Sequence, residues 1–277
     1  MKNIALQTTE LSLLFVYYFC NTKIRFMNYR LQSYWNHWKN SKHRGGHGIH
    51  SPFLFRLITE VIESKTSHLE YSLLKHFNLK TNLLLKAHST IQLRESNTEK
   101  ANKKEIKGLQ KIDLPMRYRK LLFRLVSEFK PKAAIYFGST MGHDLVAMAL
   151  ANMNMPVYQS ESHSPFFSWS ESTLKELNIN SISRITDNSE PPIKPDFILI
   201  NHPKEPEIAF KRVEEHLKDP GKNDVLILVG IHESKEMNQV WHTLTLNPKV
   251  RVTLTLFNLG ITFLRDKSQK ENFELKF

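Results

Sequence analysis

The sequence predicts an α/β fold: a doubly wound, mostly parallel sheet with an antiparallel end, preceded by a helical N-terminal region. Three observations predict it. From Leu114 onward, short β-branched or apolar runs alternate with helical stretches, the rhythm of a sheet covered by helices on both faces. The last two runs, from Val250, have no helix between them, so the sheet finishes antiparallel. Upstream of Glu95 the apolar residues recur at helical spacing instead.

Taken in order, Leu11 to Cys20 is a ten-residue apolar run, well short of the roughly 20 residues that a membrane-spanning helix needs. Met1 to Phe26 reads as an upstream extension or a misassigned start, and no membrane partner is expected. Residues 27–94 form the helical region. Leu31, Tyr34, Trp35 and Trp38 repeat at helical spacing, and Lys39 to His50 is a basic, glycine-containing loop. Ser51-Pro52 then restarts a helix, with a favoured cap followed by a first-turn proline, and a further helix covers Leu69 to Leu85. Residues 95–113 are a charged linker poor in hydrophobic residues. Residues 114–277 carry the sheet. Its strands are expected at Ala133–Phe137, Val157–Ser160, Ile182–Ile185, Phe197–Asn201, Val225–Val229, Val250–Leu256 and Ile261–Arg265. Helices are expected around Leu145–Ala151, Phe166–Leu177, Glu207–Leu217 and Lys235–Leu246, with Trp241 packing in the core.

Composition removes several classes of protein. In 277 residues, 40% hydrophobic and 10% aromatic content is globular, which excludes disorder and fibrous architecture for most of the chain. The single cysteine, Cys20, cannot make an intramolecular disulfide or a cysteine-based zinc site, so a reducing, cytoplasmic setting is expected. None of the nine glycines builds G-x-G-x-x-G or a Walker loop, which removes ordinary NAD and P-loop chemistry.

The chemistry gathers at the expected strand ends. Ala133 to Gly142 (AAIYFGSTMG) places Gly138 and Gly142 four apart before a helix, where glycines let the backbone approach a ligand. Glu161, at the end of the second strand, is placed to accept hydrogen bonds from ribose hydroxyls, and Asp187, after the third, to meet an adenine edge. Taken singly, these are a tight turn and surface carboxylates; in this order on successive strands they suggest a nucleoside-bearing ligand.

At these residues the chain resembles the class I S-adenosylmethionine-dependent methyltransferases with their Rossmann-like sheet. Within them it resembles a lineage of Bacteroidetes methyltransferase-like proteins. The resemblance is carried by His47-Gly-Ile-His-Ser-Pro-Phe53, by Tyr118 to Val126 with Phe129-Lys-Pro131, and by Glu236 to Trp241, Pro248 to Val250, Gly260-Ile261 and Lys270 to Phe273. It covers roughly Asn28 to Phe277. It implies S-adenosylmethionine as cofactor, bound by Gly138, Ser139, Gly142, Glu161, Ser162 and Asp187, and methyl transfer to a hydroxyl or amine of an unidentified small or macromolecular acceptor.

The chain also departs from the family pattern. Tyr136-Phe137-Gly138 stands where the family has Glu-Leu-Gly, so cofactor affinity is expected to be weakened. Ile200 to Lys204 (INHPK) replaces Ile-Asp-Gly-Asn-His, and Val229-Gly230 replaces a pair of aspartates. Mg²⁺ is usually anchored by one or two carboxylates, so no metal is expected. Asn201, His202 and Lys204 are the catalytic candidates, His202 as general base and Lys204 as orienting cation. His232 and Glu233 lie at the same edge or cap the following helix. A catalytically inactive scaffold that kept the fold is the alternative function. A nucleic-acid contact through Lys39, Lys42 and Arg44 beside Tyr34, Trp35 and Trp38 is a third and weaker one. His37, His43, His47 and His50, four histidines in fourteen residues, read as a basic loop rather than a metal site.

Overall fold

The computed structural model describes residues 29–41, 49, 51–95, 113–160, 166–186, 189–264 and 269–277. Residues 1–26, most of the charged linker, and Lys42, His43, Arg44, His47 and His50 lie outside the described residues. Four helical segments come first: α1 (29–40), α2 (Pro52–Arg56, continuing as a π-helical turn over Leu57–Ile62), α3 (Glu70–Glu95) and α4 (Met116–Phe129). The doubly wound part follows as β1 (Ala134–Phe137), α5 (His143–Ala151), β2 (Val157–Ser160), α6 (Phe166–Glu176), β3 (Ile182–Ile185), β4 (Phe197–Ile200), α7 (Pro206–Lys218), β5 (Val225–Val229) and α8 (Lys235–Leu246). Strands β6 (Val252–Thr255), β7 (Leu259–Phe263) and β8 (Glu271–Glu274) complete it.

All eight strands lie in one sheet of order β3-β2-β1-β4-β5-β7-β6-β8. The first five pair in parallel, and β7 runs antiparallel to both β5 and β6. The expected fold class holds. Strand order reverses between β1 and β4, which opens a crevice at their carboxyl ends, where doubly wound sheets take ligands.

Alternation along the central strands divides the core. Ala134 and Tyr136 of β1, with Phe197 and Leu199 of β4, face α2, α3, α4 and α5; Ala133, Ile135, Ile198 and Ile200 face α7 and α8. β4 (FILI) and β5 (VLILV) are buried on both sides, which is why they read as unbroken apolar runs. Trp241 is buried as expected, and its indole donates to Thr255 Oγ1 at 3.2 Å. It lies flat over Gly260, where a Cβ would come within 2.4 Å of the ring.

Two elements differ from expectation, and a third shows which way a stripe faces that spacing alone left open. Helix α3 continues to Glu95, ten residues beyond Leu85, because the polar stretch that ends the apolar stripe contains no proline or glycine to stop a helix. Strand β8 was hidden in a polar segment, ENFE, that pairs with β6 at the sheet edge. Helix α1 is inverted: Ser33 and His37 face inward, whereas Leu31, Tyr34, Trp35 and Trp38 point outward. Polar inward packing is feasible because His37 Nε2 donates to the Leu275 carbonyl at 3.1 Å.

Candidate functional site

Register brings the predicted strand ends to one edge. Phe137 of β1 aligns with Ser160 of β2 and with Ile200 of β4, and Ser160 aligns with Ile185 of β3. Gly138 and Asn201 therefore leave adjacent strands side by side. Glu161, Ser162 and Asp187 lie outside the described residues; Ser160, which precedes Glu161, sits at that edge.

Gly138 is required where it stands. Its φ is +126°, and a Cβ would sit 2.3 Å from the Asn201 carbonyl oxygen, so only glycine lets the β1 loop run against the end of β4. Gly142, at φ +89°, is the N-cap of α5. Between them the loop is pinned from behind by Asp113, the last residue read as linker, which is buried. Its carboxylate accepts from Thr140 Oγ1 at 2.6 Å and from the Met141 and His143 amides at 3.0 and 3.1 Å. His143 Nδ1 lies 2.5 Å from the same carboxylate. Burial, the largest single influence, raises the Asp113 pKa, but the hydrogen bond and charge of His143, the Thr140 hydrogen bond and the Arg119 charge together outweigh it and hold the carboxyl below its usual value.

Tyr136 stands where the resemblance places an acid. Its ring is fully buried, and its hydroxyl accepts from Asn201 Nδ2 at 2.6 Å and lies 3.3 Å from Asp144 Oδ2. Burial and the nearby Asp144 and Asp113 carboxylates raise its pKa well above the ordinary phenolic value, so it acts as a neutral hydrogen-bonding strut. Asp144 accepts from the Leu114 amide at 3.2 Å, and burial followed by repulsion from Asp113 pushes its pKa up to about 8. Carboxylates are thus present behind the loop, on α5 and before α4, rather than at the tip of β1.

At the end of β4, Asn201 is tied to Tyr136, and its amide donates to the Phe137 carbonyl at 2.8 Å. His202 is buried, with Nδ1 2.8 Å from Glu205 Oε2, and Lys204 is exposed. Glu205 was not singled out in the sequence; its spacing of three from His202, just before the first-turn Pro206 of α7, was the available signal. A carboxylate on Nδ1 fixes the tautomer that leaves Nε2 as a proton acceptor.

The end of β5 is of another kind. Gly230 has φ +75°, and a Cβ there would meet Pro203 Cβ at 2.4 Å. His232 stacks on Phe257 with ring centroids 5.3 Å apart, and His37 of α1 lies 6.0 Å from His232. Burial, then the neighbouring His37, pulls the His232 pKa down to about 4. Glu233 pairs with Arg30 of α1 at 2.8 Å, and Ser234, not His232 or Glu233, caps α8 by accepting from the Met237 amide. Helix α1 therefore closes over this strand end. Among the described residues, no group of three or more His, Cys, Asp or Glu could hold a metal ion, and no helix is long and apolar enough to cross a membrane.

No family model matches the sequence, and no curated protein matches it. Solved structures do. A protein from Klebsiella pneumoniae assigned as an O-methyltransferase superposes with a TM-score of 0.52 at 9% identity, covering 74% of this chain and 94% of that one. An O-methyltransferase from Bacillus cereus, in complex with SAH, superposes with a TM-score of 0.51 at 14% identity, covering 77% and 97%. At these identities the likeness is one of fold: the sheet is the Rossmann-like methyltransferase sheet.

Proposed function

We propose that this chain binds S-adenosylmethionine at the ends of β1, β2 and β4 and transfers its methyl group, without a metal, to a hydroxyl or amine. The observation that carries this reading is the Gly138 crossing, where the β1 loop and the β4 end are held edge to edge at the sheet's switch point. The residues present fit the group: Gly138, Ser139 and Gly142 frame the loop, Glu161 and Ser162 follow the β2 end for the ribose, and Asp187 follows β3 for the adenine. S-adenosylmethionine supplies an electrophilic methyl on a sulfonium, so the protein's task is chiefly positioning. His202, oriented by Glu205, takes the acceptor proton at Nε2, with Lys204 at the rim as orienting cation.

A second reading, a fold-retaining binding protein without catalysis, is favoured by Tyr136. Its buried ring replaces the acid that the resemblance expects, and losing one charge-assisted hydrogen bond weakens affinity roughly ten- to a hundredfold. Incubation with methyl-labelled S-adenosylmethionine, EDTA and pooled phenol, catechol and amine acceptors separates the two. Label in an acceptor, lost in His202→Asn, supports transfer; cofactor binding with no label in any pool supports the second reading.

A further inference from the structure

Away from the Gly138 crossing, a cleft of about 440 Å³ lies between α4, the end of the π-helical turn and the segment after β8. Five cations line it, Lys65, Arg117, Lys120, Arg124 and Lys276, against one carboxylate, Glu63. Four are held by carbonyls, hydroxyls or ring faces. Arg124 donates to the Val61 and Ile62 carbonyls at 2.5 and 3.0 Å and to the Tyr71 hydroxyl at 3.3 Å. Arg117 donates to the main-chain oxygen of Phe277 at 3.2 Å, and the Lys120 ammonium sits 4.7 Å from the Tyr71 ring centroid. These contacts fix the cations in place while leaving their charge available to a guest.

Lys276 joins the cleft to a second feature. Its ammonium lies 4.4 Å from the Trp38 ring centroid, and Trp38 stacks on Trp35 with centroids 5.7 Å apart and planes 26° apart. The two indoles are 49% and 62% exposed, on the outward face of the inverted helix α1. An exposed indole pair contributes little to the core, so folding does not account for it.

We propose that this surface binds single-stranded nucleic acid, with phosphates in the cleft and bases stacked on Trp35 and Trp38. Repeated phosphates and flat rings occur together in one class of ligand, and cations in a groove beside aromatic platforms are how sequence-tolerant strand binding is built. The net charge of +12 steers such a ligand. A cleft arranges its cations around a guest rather than on a plane, which favours a strand over a lipid surface. The inference goes beyond methyl transfer and does not depend on it.

The test is fluorescence anisotropy of labelled dT12 and U12 with the full chain, from 50 to 200 mM salt and without cofactor. Binding should weaken linearly in log salt. Lys65→Glu with Lys276→Glu should cut affinity at least about tenfold and flatten the salt slope by roughly 1.4, for two lost phosphate contacts. Trp35→Ala with Trp38→Ala should cut it about tenfold with the slope unchanged. Circular-dichroism melting confirms that each variant folds, and these exposed positions leave the core intact. Absence of binding at 50 mM salt, folded variants that bind like the parent, or ADP binding as tightly as the oligonucleotides would overturn the proposal. So would retention on phosphatidylserine vesicles with none on either oligonucleotide.

Discussion

The ends of β1 and β5 sit two strands apart at the same edge of one sheet, and they are built on opposite principles. Behind β1, buried polar groups bond to one another: Asp113 holds the loop, and Tyr136 links Asp144 to Asn201. At β5 the chain offers Val229 and Gly230, and the space beyond is filled by Pro203, His232, Phe257 and helix α1. A keyed polar loop keeps its shape for a ligand, whereas the β5 end is packed with rings and closed by a helix, and the Glu233 carboxylate beside it is paired with Arg30. The comparison supports the proposed site at β1 and β4 over one at β5.

The largest expected effect is steric. Gly138→Ala faces both a positive φ and a main-chain oxygen at 2.3 Å, and should cost about 2 to 5 kcal/mol in urea denaturation. Gly230→Ala shares a positive φ, +75°, but meets a proline side chain on a loop rather than a main-chain oxygen, and should cost less, about 1 to 3 kcal/mol. A larger loss at Gly230 would mean that the β5 end, not the β1 loop, is the rigidly specified one.

Titration separates the same two regions with opposite signs. Asp144 has a folded pKa near 8, above its unfolded value, so the folded state holds the extra proton and stability falls as pH rises from about 4 to 8. His232 has a folded pKa near 4, below its unfolded value, so stability falls as pH drops from 6.5 towards 4. Of these two groups only Asp144 acts between pH 6.5 and 8. Over that window Asp144→Asn should remove a decline on the order of 1 to 2 kcal/mol. His232→Gln should remove part of the acid-side loss instead, about 1 to 3 kcal/mol. A parent whose stability is flat from pH 6.5 to 8 would contradict the buried-acid account of β1.

The smallest expected effect is none. Adding Mg²⁺ or EDTA should leave the Tm and any methyl transfer unchanged, because a valine and a glycine side chain cannot coordinate and an asparagine amide is a neutral ligand. Micromolar metal binding at the strand ends, or transfer abolished by EDTA and restored by Mg²⁺, would put carboxylates where the comparison has none.

How much of this was legible depended on how local each signal is. β2, β3, β5 and α8 were readable to the residue because β-branched and apolar runs and helical spacing are written within a few positions. β8 was not, since a half-exposed ENFE carries no alternation and gains its strand character only from β6. The face of α1 was left open for a similar reason: helical spacing of Tyr34, Trp35 and Trp38 identifies a stripe but not the side it faces. In the site, Gly138 and Asn201 were readable as strand-end residues. Asp113 and Asp144 were not, because their importance comes from meeting Thr140, His143 and Tyr136 in space.

The central claim is that the β1 end still receives the cofactor, and isothermal titration calorimetry with S-adenosylhomocysteine at millimolar concentration tests it most directly. With Tyr136 in place of the acid, the account predicts measurable binding with a dissociation constant between roughly 0.1 and 1 mM, weakened about tenfold or more in Glu161→Ala and unaffected by EDTA. No heat at millimolar ligand, or a Glu161→Ala variant indistinguishable from the parent, would contradict it.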